Sequence, residues 1–133
     1  MLEKIRKMIF RKKYRVLVVD DDEDMILLLE KILSNARFKV LKARSGRECI
    51  ERAKKFSPDI IVLDIMMPGL DGIATVLKLK SIKETNSIPI IMCTAVKEDE
   101  DEIVAQNLGV EDYVRKTARM ESLVAKIEKV LSK

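Results

Sequence analysis

The sequence predicts an α/β fold, a three-layer sandwich in which five β-α units build a doubly wound parallel sheet in the flavodoxin-like order 2-1-3-4-5. Three observations predict it. Short runs rich in Val and Ile alternate five times with longer segments of helical periodicity. Three of those runs are apolar almost without a break, as strands buried on both faces must be. A chain of 133 residues has room for one such domain and not for two.

The elements follow in order after a leading arm. Residues 1 to 15 carry seven basic side chains against Glu3, a charge of +6, so the formal +4 of the whole chain hides a body of −2. Residues 1 to 14 therefore read as a basic arm, and 15 to 133 as the domain. In the arm Leu2, Ile5 and Ile9, with Met8 and Phe10 near them, fall on one side of a short helix whose other side is basic. That pattern suits packing on the domain or on a second copy, as in a homodimer. It equally suits binding to a partner, to an acidic lipid surface or to nucleic acid.

The first strand is Val16 to Val19, followed by a helix with Met25, Leu28, Leu29, Ile32 and Leu33 at helical spacing. The second strand, Phe38 to Ala43, alternates apolar residues with Lys39 and Lys42 and suits an edge. Ser45 and Glu48 form a capping-box pattern opening a helix through Cys49, Ile50, Ala53 and Phe56. Strand Ile60 to Leu63 and helix Ile73 to Ile82 form the third unit, and strand Ile88 to Cys93 and helix Asp99 to Leu108 the fourth, stopped at Gly109. Its acidic run, Glu98 to Glu102, reads as a solvated first turn where carboxylates favour the helix dipole. Strand Tyr113 to Arg115 and helix Glu121 to Leu131 complete the domain.

Composition excludes several chemistries. With no histidine, the chain cannot use Ser-His-Asp or Cys-His catalysis or His-ligated zinc, and it cannot carry a phosphohistidine. The two cysteines, Cys49 and Cys93, lie in apolar stretches without CxxC spacing and read as buried reduced thiols. Apolar runs of four or five residues fall far short of the roughly 18 a membrane span needs. With no signal-peptide core visible, a cytoplasmic location is expected.

Residues at the carboxyl ends of the buried strands are all polar or charged: Asp20 and Asp21 after the first, Asp64 after the third, Thr94 after the fourth and Lys116 after the fifth. A parallel sheet presents these ends on one edge, so they should converge across nearly 100 residues of sequence. Three carboxylates there repel one another, by about 4 kcal/mol per pair at 4 Å and an effective dielectric of 20, unless a cation intervenes. Oxygen ligands alone favour a hard ion, and Mg²⁺ suits best because it also bridges to phosphoryl oxygens. With Lys116 as a point charge for phosphate and Thr94 as a hydroxyl donor, the set suits phosphoryl transfer onto the Asp64 carboxylate.

VLVVDDDED (Val16 to Asp24), IIVLDIMMPGLDG (Ile60 to Gly72), IIMCTA (Ile90 to Ala95) and GVEDYVRK (Gly109 to Lys116) resemble the motifs of bacterial response-regulator receiver domains, single-domain chemotaxis-type regulators among them. The resemblance runs from about Arg15 to Leu131. It implies that Asp64 is the phosphoacceptor, that Asp21 binds Mg²⁺ directly and Asp20 largely through water, and that the backbone carbonyl of Met66 supplies the third protein contact. It further implies that Thr94 is the switch hydroxyl, Lys116 the phosphate-binding lysine, and Tyr113 the aromatic whose rotamer follows phosphorylation.

Two departures stand out. The family places a proline in a cis peptide after the lysine. Here Thr117 follows Lys116, so a trans peptide and a differently aimed lysine are expected, since a non-proline cis bond costs about 2.5–4 kcal/mol. Met66 and Val96, two residues after Asp64 and Thr94, are apolar where the family steers water, which predicts slow self-dephosphorylation.

The implied function is that of a two-component response regulator. It would accept a phosphoryl group from a sensor histidine kinase or phosphotransfer protein and signal to a downstream protein target. No DNA-binding domain is visible. A phosphorylation-independent protein-binding module of the same shape is the alternative. A flavodoxin would need FMN beside the acidic Asp20 to Asp24 run, and a dehalogenase-type phosphatase would need an Asp where Met66 stands.

Overall fold

The computed structural model describes residues 13–95, 107–117 and 120–133. They form five strands and four helices: β1 (Arg15–Val19), α1 (Glu23–Asn35), β2 (Lys39–Ala43), α2 (Gly46–Phe56), β3 (Ile60–Asp64), α3 (Gly72–Ser81), β4 (Ile90–Thr94), β5 (Asp112–Arg115) and α4 (Leu123–Leu131). The strands lie in the order β2-β1-β3-β4-β5, and each pairing is parallel. The predicted fold class and strand order are those observed, and β2 is an edge, with every residue before Ala43 at least partly exposed.

The two-residue repeat of the strands sorts the core into two layers. Leu17, Val19, Ile61, Leu63, Ile90 and Met92 face α2 and α3, where Cys49, Ala53, Val76 and Leu79 meet them. Val16, Val18, Ile60, Val62, Ile91 and Cys93 face α1 and α4 through Ile26, Leu29, Leu33, Leu123 and Ile127. Both cysteines are free and buried, one in each layer, and burial pushes each thiol up to about 12.

Local side chains set the helix starts. Asp22 caps α1 by accepting from the Asp24 amide at 3.0 Å, and Asp71 caps α3 by accepting from Ala74 at 2.8 Å. Ser45 accepts from the Glu48 amide at 3.1 Å, which is half of the expected capping box. The Glu48 carboxylate turns instead to Arg52 at 3.0 Å.

Several boundaries differ from expectation. β4 begins at Ile90, not Ile88, because Pro89 has no amide for the ladder and Ile88 closes a turn onto Thr85 O. Phe38 precedes β2, and α4 begins at Leu123 rather than Glu121. On α1 the fully buried residues include Ile26, absent from the apolar stripe, whereas Met25, Leu28 and Ile32 are half-buried. The fourth predicted helix, with its acidic run, lies largely outside the described residues. Gly109 stands after it at φ +78°, a backbone that glycine adopts without cost. Residues 1 to 12 of the arm also lie outside them. Tyr14 is half-buried against the core, and its carbonyl accepts from Lys39 at 2.9 Å.

The amino edge of the sheet is closed by Arg15. Its amide donates to Asp59 Oδ2 at 2.7 Å, and its guanidinium donates to the carbonyls of Phe56 and Ser57 at the left-handed end of α2.

Candidate functional site

At the opposite edge, β1 and β3 deliver Asp20 and Asp64 to neighbouring positions. Their strands are paired up to Val19 and Leu63, so the residues that follow emerge side by side. Both aspartates are buried, 1% and 3% exposed, while Asp21 faces solvent. Each of Asp20, Asp21 and Asp64 offers a carboxylate oxygen within 4.8 Å of the others. Asp22, the third acid of the run, belongs to the helix cap and not to the cluster. Its amide donates to Asp20 Oδ1 at 3.0 Å, so the turn into α1 also orients Asp20.

Lys116 enters from the end of β5. Its Nζ lies 2.6 Å from Asp20 Oδ2 and 3.3 Å from Asp64 Oδ1. The expected trans peptide before Thr117 is observed, since no peptide bond among the described residues is cis. The expected change of aim is not. Lys116 points into the acidic pocket.

The electrostatics follow from one ammonium serving two buried carboxylates. Burial and the neighbouring Asp20 raise the Asp64 pKa from 3.8 to about 6, and Lys116 and the Met66 amide, 3.4 Å from Oδ1, oppose the rise. Burial works against the Lys116 ammonium, but its contacts with Asp20 and Asp64 outweigh that and hold its pKa above the ordinary lysine value. The pocket is thus short of positive charge, and its donors are all oxygens. That donor set fits a hard divalent cation.

Backbone packing also constrains the segment that carries Asp64. Gly72 opens α3 directly against it. A Cβ at Gly72 would lie 2.3 Å from the Asp64 carbonyl oxygen and 2.6 Å from the Ile65 Cα, and the Gly72 amide donates to Ile65 O at 2.9 Å. Gly46 is equally tight against Thr75 and Leu70 O.

Thr94 is the last residue of β4, in register with Arg115, on the same edge of the sheet. Tyr113 is 8% exposed and packs in the α2–α3 layer of the core. Met66 is 65% exposed beside the pocket, and Val96 lies outside the described residues.

The fold and the sequence both have counterparts in known proteins. The response regulator receiver domain matches residues 16–128 of this chain. The chain belongs to that family. It is 36% identical over 117 residues to the alkaline phosphatase synthesis transcriptional regulatory protein PhoP of Bacillus subtilis (strain 168), an alignment covering 88% of this chain and 48% of PhoP. The chain thus spans about half the length of that relative. Among solved structures it resembles the chemotaxis protein CheY4 of Vibrio cholerae (TM-score 0.83, 26% identity, 90% of this chain and 99% of that one). It also resembles the BeF3-activated N-terminal receiver domain of Klebsiella pneumoniae RstA (TM-score 0.82, 27% identity, 90% and 99%).

The receiver's acidic positions were readable as strand ends. The Gly72 contact and the Met66 amide were not, because both depend on how the loop after β3 folds back. Gly72 closes the motif that begins at Ile60, which marked its position but not its contact with Asp64. Among the described residues no helix is long and apolar enough to cross a membrane.

Proposed function

We propose that this receiver domain takes a phosphoryl group onto Asp64 from the phosphohistidine of a sensor kinase or phosphotransfer protein. The observation that carries the reading is the buried pair Asp20 and Asp64 sharing the Lys116 ammonium, with Asp21 close enough to complete a cation site.

Asp64 is the nucleophile. Lys116 and the Met66 amide both meet Oδ1, which leaves Oδ2 for attack on phosphorus. The P–O bond forms as the P–N bond to the donor imidazole breaks, and the imidazole leaves with the electron pair and takes up a proton. Lys116 balances the charge gathering on the phosphoryl oxygens, and the Thr94 hydroxyl donates to one of them. Asp21, Asp64 and the Met66 carbonyl would hold Mg²⁺, with Asp20 acting largely through water, and the bound ion would supply the remaining neutralisation of charge. At neutral pH an Asp64 pKa of about 6 keeps the nucleophile mainly ionised.

The product adds nearly two negative charges beside β4 and β5. Thr94 drawn toward that charge shifts the segment after β4, and Tyr113 follows, which changes the surface around β5 and α4 for a downstream protein target. Met66 and Val96 offer no group to steer water, so the acyl phosphate is long-lived. The domain catalyses its own phosphorylation and slow dephosphorylation without a separate small-molecule substrate.

Incubation with acetyl phosphate and Mg²⁺ should add one phosphoryl mass to the intact protein, and the gain should vanish in Asp64→Asn or with excess chelator. A protein unchanged in mass and in tyrosine fluorescence, with beryllofluoride also without effect, would overturn the reading in favour of a phosphorylation-independent binding module. The absence of tryptophan leaves Tyr14 and Tyr113 as the fluorescent reporters.

A further inference from the structure

Lys116 reaches both buried carboxylates although no proline ring stiffens the residue after it. Two hydrogen bonds close the loop there. The Thr117 amide, a donor that proline would lack, donates to Met120 Sδ at 3.4 Å. The Met120 amide donates back to Thr117 Oγ1 at 3.1 Å.

Met120 is the fixed half of this pair. It is 1% exposed and belongs to the core layer that holds Cys93, Val114, Leu123 and Ile127. Its carbonyl accepts from the Leu123 amide at 3.2 Å at the entry to α4. Its φ of +50° is left-handed, a backbone that residues with a Cβ avoid and that persists only where surroundings over-determine it. Thr117 itself is exposed, so what holds it is not burial but the two bonds to Met120.

We infer that Thr117 is a positioning residue whose two-bond clasp on the core-anchored Met120 holds Lys116 against Asp20 and Asp64. The clasp fixes the peptide plane immediately after Lys116. Without it the lysine keeps its charge but samples other directions. The consequence for phosphoryl transfer rests on the role proposed for Lys116 above, whereas the effect on the lysine's location does not.

The test therefore has a metal-free arm and a reaction arm on the full chain. In the first, acylation of Lys116 by a water-soluble succinimidyl acetate is followed by peptide mass spectrometry, with exposed Lys129 as internal reference. Thr117→Val should raise the relative rate at Lys116 about tenfold, the equivalent of one net hydrogen bond, and Thr117→Ser should restore the original rate. Met120→Leu, which keeps the core volume but removes the sulfur acceptor, should raise it about two- to threefold.

In the second arm, phosphorylation by acetyl phosphate at saturating Mg²⁺ should slow about tenfold in Thr117→Val and recover in Thr117→Ser, with the half-saturating Mg²⁺ concentration unchanged. In a Lys116→Ala background, Thr117→Val should cause no further loss. Unchanged Lys116 acylation in both Thr117→Val and Met120→Leu would overturn the inference, as would additive losses in the double variant. Faster acylation in a chain that never takes up phosphate would support the clasp while overturning the reading of Asp64.

Discussion

The two edges of the sheet handle charge in opposite ways. At the amino edge Arg15 and Asp59 are matched, with the Arg15 amide on Asp59 and the guanidinium spent on two carbonyls at the end of α2. At the carboxyl edge the buried Asp20 and Asp64 face each other across a single lysine, and Asp64 is held far from its ordinary ionisation. One edge is built to be satisfied alone. The other gathers more buried acid than its lysine balances, which suits it to a cation or an incoming group.

The largest test of the contrast is Asp64→Asn. It should abolish phosphoryl uptake, read by intact mass, while making the metal-free protein more stable. A lift from 3.8 to about 6 is worth up to about 3 kcal/mol. The folded state holds the Asp64 proton more tightly than the unfolded chain, so the ionisation cost is absent below 3.8 and complete above about 6. Urea melts without metal should show wild type losing stability relative to Asp64→Asn as the pH rises through that window. Added Mg²⁺ should narrow the difference at neutral pH. A variant less stable than wild type at neutral pH would break the comparison.

Lys116→Ala removes the pocket's own counter-charge. Phosphorylation by acetyl phosphate should slow by about a hundredfold, the scale of losing a charged donor to a transition state. Its metal-free stability should fall, and Mg²⁺ should recover more of it than in wild type.

Gly72→Ala and Gly46→Ala sharpen the comparison from the backbone. Each forces a methyl into occupied space and should cost about 1–3 kcal/mol in a urea melt. At matched stability only the former should slow phosphorylation, because its intruding atom meets the Asp64 carbonyl. The smallest effect belongs to the amino edge. Asp59→Ala should cost about 1–2 kcal/mol by leaving the Arg15 amide unpaired, with phosphorylation unchanged.

Much of this was readable from the chain. The Val and Ile runs fixed the strands because double burial leaves little choice of residue, and Asp20 and Asp64 stood out because, although one acid after a strand is usually a helix cap, polar or charged residues follow several strands on the same edge. Ile26 escaped because α1 is apolar on more than one side, with Leu27 53% exposed, so periodicity did not select the buried face. The aim of Lys116 was misjudged for a different reason. It depends on a sulfur acceptor three residues beyond Thr117, in a residue whose backbone has the left-handed turn usual for glycine, and neither feature has a local signature. Side chains that act through strand position were legible, and those that act through loop closure were not.

The thiols of Cys49 and Cys93 sit on opposite sides of the sheet, and burial keeps both protonated well beyond neutral pH. An alkylating reagent can reach either only when its own layer breathes. The pair is therefore a built-in clock with two hands. Equal labelling rates would mean that the domain opens as one body, and unequal rates would identify the side that loosens first.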